Sequence, residues 1–189
     1  MIFTLPNMLT VLRLFLAPFL GFVLVIYPNA SGAKIALLIF VISAITDFLD
    51  GYLARYLNKI SNLGKLLDPV ADKALIIITL LSIIILKKDD QLLVFFTFAS
   101  ILIIFREIFI MALREFIAEK KNTLNVSKFA KIKTFFQMFS IIVILFSETN
   151  FLYIHSINYF SCFFLWIACF LTLYTGFNYF KSSIKLIKD

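Results

Sequence analysis

The sequence predicts an all-α polytopic membrane protein: a six-transmembrane-helix bundle folded as a single domain over residues 1–189. Three observations carry this. The chain is 62% hydrophobic with 24 Phe among 189 residues, against about 45–50% apolar in a soluble domain. A chain this short cannot bury so much apolar surface in its own core, so lipid must be its solvent. Six stretches reach the roughly 20 mostly apolar residues that a span requires, and the breaks between them carry turn-forming or charged residues.

The spans are expected at 8–27, 34–57, 66–86, 92–117, 130–147 and 155–180. The first contains Arg13 within its apolar run, has no charged n-region before it and shows no small-residue cleavage site, so it is not read as a cleaved signal peptide. It stops at Pro28-Asn29-Ala30-Ser31-Gly32. The second ends in the polar stretch 58–64. Ser61 or Asn62 can cap the third, which tolerates Pro69 in its first turns because backbone donors there lack helical partners. Lys87-Lys88-Asp89-Asp90 closes it. The fourth carries Arg106 beside Glu107, and an intramembrane ionisable pair is functional or structural by default. The fifth begins with Lys131 and Lys133 and ends at Glu148-Thr149-Asn150. The sixth is Phe-rich, and its Tyr159 and Trp166 read as lipid-facing or packing residues. Cys162 and Cys169 lie seven apart, which fits neither a CxxC pair nor a metal cluster. His155 is the only histidine, which argues against histidine catalysis and multi-histidine metal sites.

Basic residues set orientation. With the N-terminus in the cytoplasm, fourteen Lys and Arg flank the cytoplasmic ends, among them Arg13, Arg55, Lys73, Arg114, Lys131 and Lys133. Only Lys34, Lys87 and Lys88 fall on the other side. Both termini are therefore expected in the cytoplasm, with the protein multi-pass in the cell (inner) membrane. The net charge of +7 reads as this bias plus attraction to anionic membrane lipids. The basic residues are scattered on flanking loops, so no nucleic-acid partner is expected.

Against this apolar background stands DFLDGYLARYLNKISNLGKLLDPVADK, residues 47–73. Asp47 and Asp50 are three apart and share a helix face with Ala54; Asp68 and Asp72 are four apart and share a face of the next helix. The short connection makes those helices antiparallel neighbours, and both pairs lie near it. The spacing thus predicts a four-carboxylate cluster near the cytoplasmic surface. An aspartate at mid-bilayer costs about 2.5–3.5 kcal/mol on insertion scales, so four call for compensation even near the surface. Divalent cation supplies it; oxygen-only donors select hard ions such as Mg²⁺, Mn²⁺ or Ca²⁺, and four carboxylates suit two Mg²⁺ bound through few protein ligands. Gly51, Ala54 and Gly64 leave room for close approach to the backbone, and Arg55 can reach a diphosphate. Asn7 and Thr10 can help close a pocket or act as caps. By contrast, Asp89, Asp90, Glu119, Glu148 and Asp189 read as solvated ends.

Residues 47–72 fit D-x2-D-G-x2-A-R-x8-G-x3-D-x3-D without an error in spacing. This resembles the signature of the CDP-alcohol phosphotransferases. LPNMLTVLRLFLAPF, SNLGKLLDPVADK, ALREF and VSKFAKIKTFFQM are similar to the branch of that family that makes phosphatidylglycerophosphate. The resemblance implies a cytoplasm-facing active site in which Asp47, Asp50, Asp68 and Asp72 hold two metals and Asp72 also serves as general base. It implies that Gly51, Ala54, Arg55 and Gly64 line the site for CDP-diacylglycerol, whose β-phosphorus is attacked by a hydroxyl of glycerol 3-phosphate. It also suggests a homodimer. For the acceptor's phosphate, which requires cations, Arg114, Lys131 and Lys133 are the candidates.

Two kinds of rival remain. A relative with another acceptor, such as a cardiolipin, phosphatidylserine or phosphatidylinositol-type synthase, would share the motif. An ion-coupled transporter would place its acids near the midplane and often repeat internally; here they sit near one surface, and no repeat is evident. For topology, a cysteine introduced at position 31, 89 or 149 should react with a membrane-impermeant reagent from outside only. Reaction from the cytoplasm only would reverse the orientation.

Overall fold

The computed structural model describes residues 5–56, 62–119, 128–149 and 155–188, and every element within them is an α-helix, turn or short connection. The helices are α1 (Leu5–Ile26), α2 (Ala30–Tyr56), α3 (Asn62–Leu86), α4 (Leu93–Glu119), α5 (Lys128–Ser147) and α6 (His155–Lys188). The expected spans coincide with them closely. The exceptions are α2 and α3, which each start four residues earlier, and α6, which runs eight residues further. Asn29 explains the early start of α2. Its side-chain oxygen accepts from the backbone N–H of Ser31 and Gly32, 3.1 Å each, which caps α2 at its N-terminus.

The chain is an all-α multi-pass membrane protein. Five helices contain apolar runs long enough to cross a bilayer: Asn7–Ile26, Ala30–Asp47, Leu67–Leu86, Leu93–Ala118 and Ile157–Ile184. In α5 the apolar run, Ile132–Ser147, is shorter, because Lys128, Lys131 and Lys133 occupy its first two turns. Its 20 residues still measure about 30 Å at 1.5 Å per residue, the thickness of the hydrocarbon core. Its length suffices if Lys133 finds a counter-charge, and it does, as described below.

The packing order differs from the sequence expectation in one place that matters. α2 and α3 are consecutive, yet among the described residues each packs mainly on α1 and not on the other. The two acidic helices are bridged by α1, whose Arg13 binds a carboxylate of each. α5 and α6 pair, α4 packs on α6, and α5 joins the halves through α2 and α3. The buried core runs through all six helices, from Leu20 and Leu24 through Phe40, Leu80, Ile103, Ile144 and Leu165. Cys162 and Cys169 are buried free thiols within it. Outside stand Phe15, Phe19, Phe22, Phe105, Phe163 and Phe177, all more than half exposed, as a surface solvated by lipid requires.

At the end opposite the motif, the reading of Asp90 and Glu148 as solvated ends is corrected. Lys87 is buried. Its ammonium bonds Asp90 at 3.2 Å, Asn158 at 2.8 Å and Glu148 at 2.5 Å, and lies 5.0 Å from the centre of the Phe96 ring. Two chain connections and the start of α6 meet on this lysine. Thr149 is also buried, its hydroxyl turned back to the carbonyl of Phe146 at 2.7 Å. Positions 31 and 89 are therefore the better accessibility reporters.

α1 and α3 approach closely at Gly21, where a Cβ would come within 2.6 Å of Ile78 Cγ2 and 3.2 Å of Ser82 Oγ. Gly21→Val should cost about 1–3 kcal/mol by overpacking, read as a lower melting temperature in detergent. An unchanged melting temperature would show that the two helices are not so close.

Candidate active site

Three of the four motif carboxylates meet side chains of α1. Asp47 lies near the C-terminal end of α2, and Asp68 and Asp72 lie in the first half of α3. One nitrogen of Arg13, Nη1, donates to Oδ1 of Asp47 at 2.5 Å and also to Oδ1 of Asp72. One turn earlier on the same face, Thr10 donates its hydroxyl to Asp68 Oδ1 at 2.6 Å. The Arg13 side chain is 1% exposed, whereas those of Asp47 and Asp72 are 33% and 36% exposed, and Asp68 is exposed. The carboxylates thus line an accessible wall with a buried cation behind it.

The remaining motif residues are placed only by backbone. Asp50, Gly51, Ala54 and Arg55 continue α2 beyond Asp47, and their side chains lie outside the described residues. Gly64 is buried in the first turn of α3. Asp50 is one helical turn beyond Asp47, on the same face. Among the described residues no three Asp, Glu, His or Cys side chains form a ready-made metal cage. The donor set nevertheless fits a hard cation. Two carboxylate oxygens from different helices converge on one positively charged atom, and all the motif donors are oxygen.

A second polar cluster adjoins the first. Glu107 on α4 is 1% exposed and binds Lys73 of α3 through Oε2 and Lys133 of α5 through Oε1. Oε1 also accepts from Arg106 at 3.1 Å and from Gln137 at 3.3 Å. Arg106 reaches Thr175 of α6 at 2.9 Å, and Gln137 reaches Thr172 at 2.9 Å. Three cations surround one carboxylate, so the cluster carries a positive excess. Arg106 crosses α6 at Gly176, where a Cβ would lie 2.8 Å from its Nε; only glycine leaves that passage open. Of the acceptor-site candidates, Lys133 belongs to this cluster. Arg114 is exposed, with its guanidinium 4.6 Å from the centre of the Tyr179 ring. Lys131 lies in the first turn of α5, its side chain outside the described residues.

The profile of the CDP-alcohol phosphatidyltransferase family matches residues 3–174. The chain belongs to that family. Proteins named CDP-diacylglycerol–glycerol-3-phosphate 3-phosphatidyltransferase resemble it along nearly their whole length. That of Rickettsia typhi is 39% identical over 181 residues, 94% of this chain and 96% of the relative. That of Rickettsia bellii is 41% identical over 184 residues, 96% of each. That of Haemophilus influenzae is 38% identical over 182 residues, 95% of this chain and 92% of the relative.

Around the acid motif, sequence reasoning missed Arg13 on α1 and Lys73 just after Asp72. Both were counted as orientation charges. Arg13 carried a signal: it is the one cation inside the first apolar run, at i+3 from Thr10, which puts the pair on one helix face. Lys73 carried none beyond adjacency to Asp72. Removing Glu107 would leave buried cations facing one another. Glu107→Ala should cost about 3–5 kcal/mol, measured by thermal unfolding in detergent, and Glu107→Gln should cost less because it keeps an acceptor oxygen. Equal melting temperatures for Glu107→Ala and wild type would show that the cluster is not held by charge.

Proposed function

We propose that the chain is itself a CDP-diacylglycerol–glycerol-3-phosphate 3-phosphatidyltransferase of the cell (inner) membrane, with one domain, both termini cytoplasmic and a homodimeric assembly. It would transfer a phosphatidyl group from CDP-diacylglycerol to sn-glycerol 3-phosphate, giving phosphatidylglycerophosphate and CMP. The observation that carries this reading is the gathering of Asp47, Asp68 and Asp72 beside a positively charged cluster. Donor diphosphate and acceptor phosphate need those two environments side by side. The near-full-length relatives of that name support the choice of acceptor. The orientation rests on fourteen basic residues on the assigned cytoplasmic side against three on the other.

Asp47, Asp50, Asp68 and Asp72 would hold two Mg²⁺ or Mn²⁺ ions, which neutralise diphosphate charge when bound. Gly51, Ala54, Arg55 and Gly64 line the nucleotide side. Arg114, Lys131 and Lys133 hold the acceptor's phosphate through charge-assisted hydrogen bonds. Asp72 takes the proton from the attacking hydroxyl. The acceptor oxygen forms a bond to the β-phosphorus as the bond from that phosphorus to the bridging oxygen breaks, and CMP leaves with the electron pair. No covalent nucleophile enters.

The test offers purified protein labelled CDP-diacylglycerol with Mg²⁺ and each acceptor in turn. Glycerol 3-phosphate should give labelled phosphatidylglycerophosphate and equimolar CMP, and excess chelator should abolish both. Asp72→Asn should retain CDP-diacylglycerol binding and lose kcat by about 10²–10⁴-fold. Product only with serine, inositol or phosphatidylglycerol would name a different acceptor. No CMP with any acceptor would reject the transferase reading.

A further inference from the structure

We infer that Arg13 is a positioning residue of the acid site, a built-in counter-cation that holds Asp47 and Asp72 at one point and competes there with a divalent ion. The inference rests on the metal-dependent reading of the same carboxylates. Three features of the structure carry it. Arg13 is buried at 1% exposure, so it is not a cation snorkelling to the surface. A single nitrogen serves carboxylates from two different helices, 34 and 59 residues away in sequence. Among the described residues those two helices pack mainly on α1, so Arg13 joins carboxylates carried by two helices that both rest on its own.

The consequence is specific. An arginine inside a span is retained where acidic partners offset its insertion cost, and its charge offsets theirs in return. A divalent ion that takes the same two oxygens meets the guanidinium a few ångströms away, and like charges at that range repel strongly in a partly buried site. Removing the charge of Arg13 therefore frees the carboxylates for metal and, without metal, leaves them repelling. Repulsion outweighs the ordering that Arg13 provides, because a carboxylate side chain has few rotamers to fix.

The experiment uses full-length protein in detergent and Mn²⁺ alone as the probe, with titration calorimetry for affinity and thermal unfolding for stability. Arg13→Gln should bind Mn²⁺ about tenfold tighter than wild type or better. It should melt lower than wild type in excess chelator and recover with saturating Mn²⁺, as linkage requires. Arg13→Lys, which keeps a cation, should stay near wild type in both measurements. Mn²⁺ affinity that is unchanged or weaker in Arg13→Gln would overturn the inference. So would Arg13→Lys destabilised as much as Arg13→Gln in chelator, since packing and not charge would then hold the helices; this arm applies even if Arg13→Gln folds only with Mn²⁺ present. Wild-type protein that binds no Mn²⁺ would remove the metal reading itself and the inference with it, a result distinct from the others.

Discussion

A charge inside a bilayer must find its counter-charge within the protein. The five buried charged side chains among the described residues are Arg13, Lys87, Arg106, Glu107 and Lys133, and each sits in an ion pair. Four of their pairs join different helices, and Lys87–Glu148 joins two connections. The apolar core supplies bulk and little discrimination, since Leu and Phe pack on one another in many arrangements and lipid is as apolar as they are. The charges are less permissive. Arg13 requires α1 to lie against both acidic helices, and Glu107 requires α3, α4 and α5 to converge.

α3 joins the two halves of the site. Asp72 and Lys73 are adjacent on the chain, so on a helix they point about 100° apart. Asp72 turns to Arg13 of α1, and Lys73 turns to Glu107 of α4. The negative wall and the positive cluster are thereby held next to each other by one rigid element. A reaction that joins an anionic acceptor to a diphosphate donor needs such a juxtaposition, because each substrate repels the other until both are neutralised. Rigidity matters as well, since helices fix positions better than loops do.

Small residues complete this frame where two backbones or a long side chain must pass. Gly21 lets α1 close on α3, which brings Thr10 and Arg13 up to the carboxylates. Gly176 lets Arg106 cross α6 to reach Thr175 while its other nitrogen holds Glu107. Neither glycine touches the acid motif, yet each governs how a charged side chain reaches its partner.

The sequence by itself determined the six helices, because hydropathy and span length are local properties that lipid reads directly. It also determined that Asp47 shares a face with Asp50 and Asp68 with Asp72, since helical periodicity follows from spacing alone, and that Arg106 stands beside Glu107. The tertiary structure decided which helices stand between which. It set α1 against both acidic helices, drew Thr10 and Arg13 into the site, and placed Lys73 and Lys133 on one carboxylate. It also turned Asp90 and Glu148 from solvated ends into partners of Lys87. Those pairings mostly span tens of residues, among them 59 for Arg13 with Asp72. No local pattern encodes them; they follow from the requirement that every charge in the low-dielectric interior be met by another, which only the complete packing can satisfy.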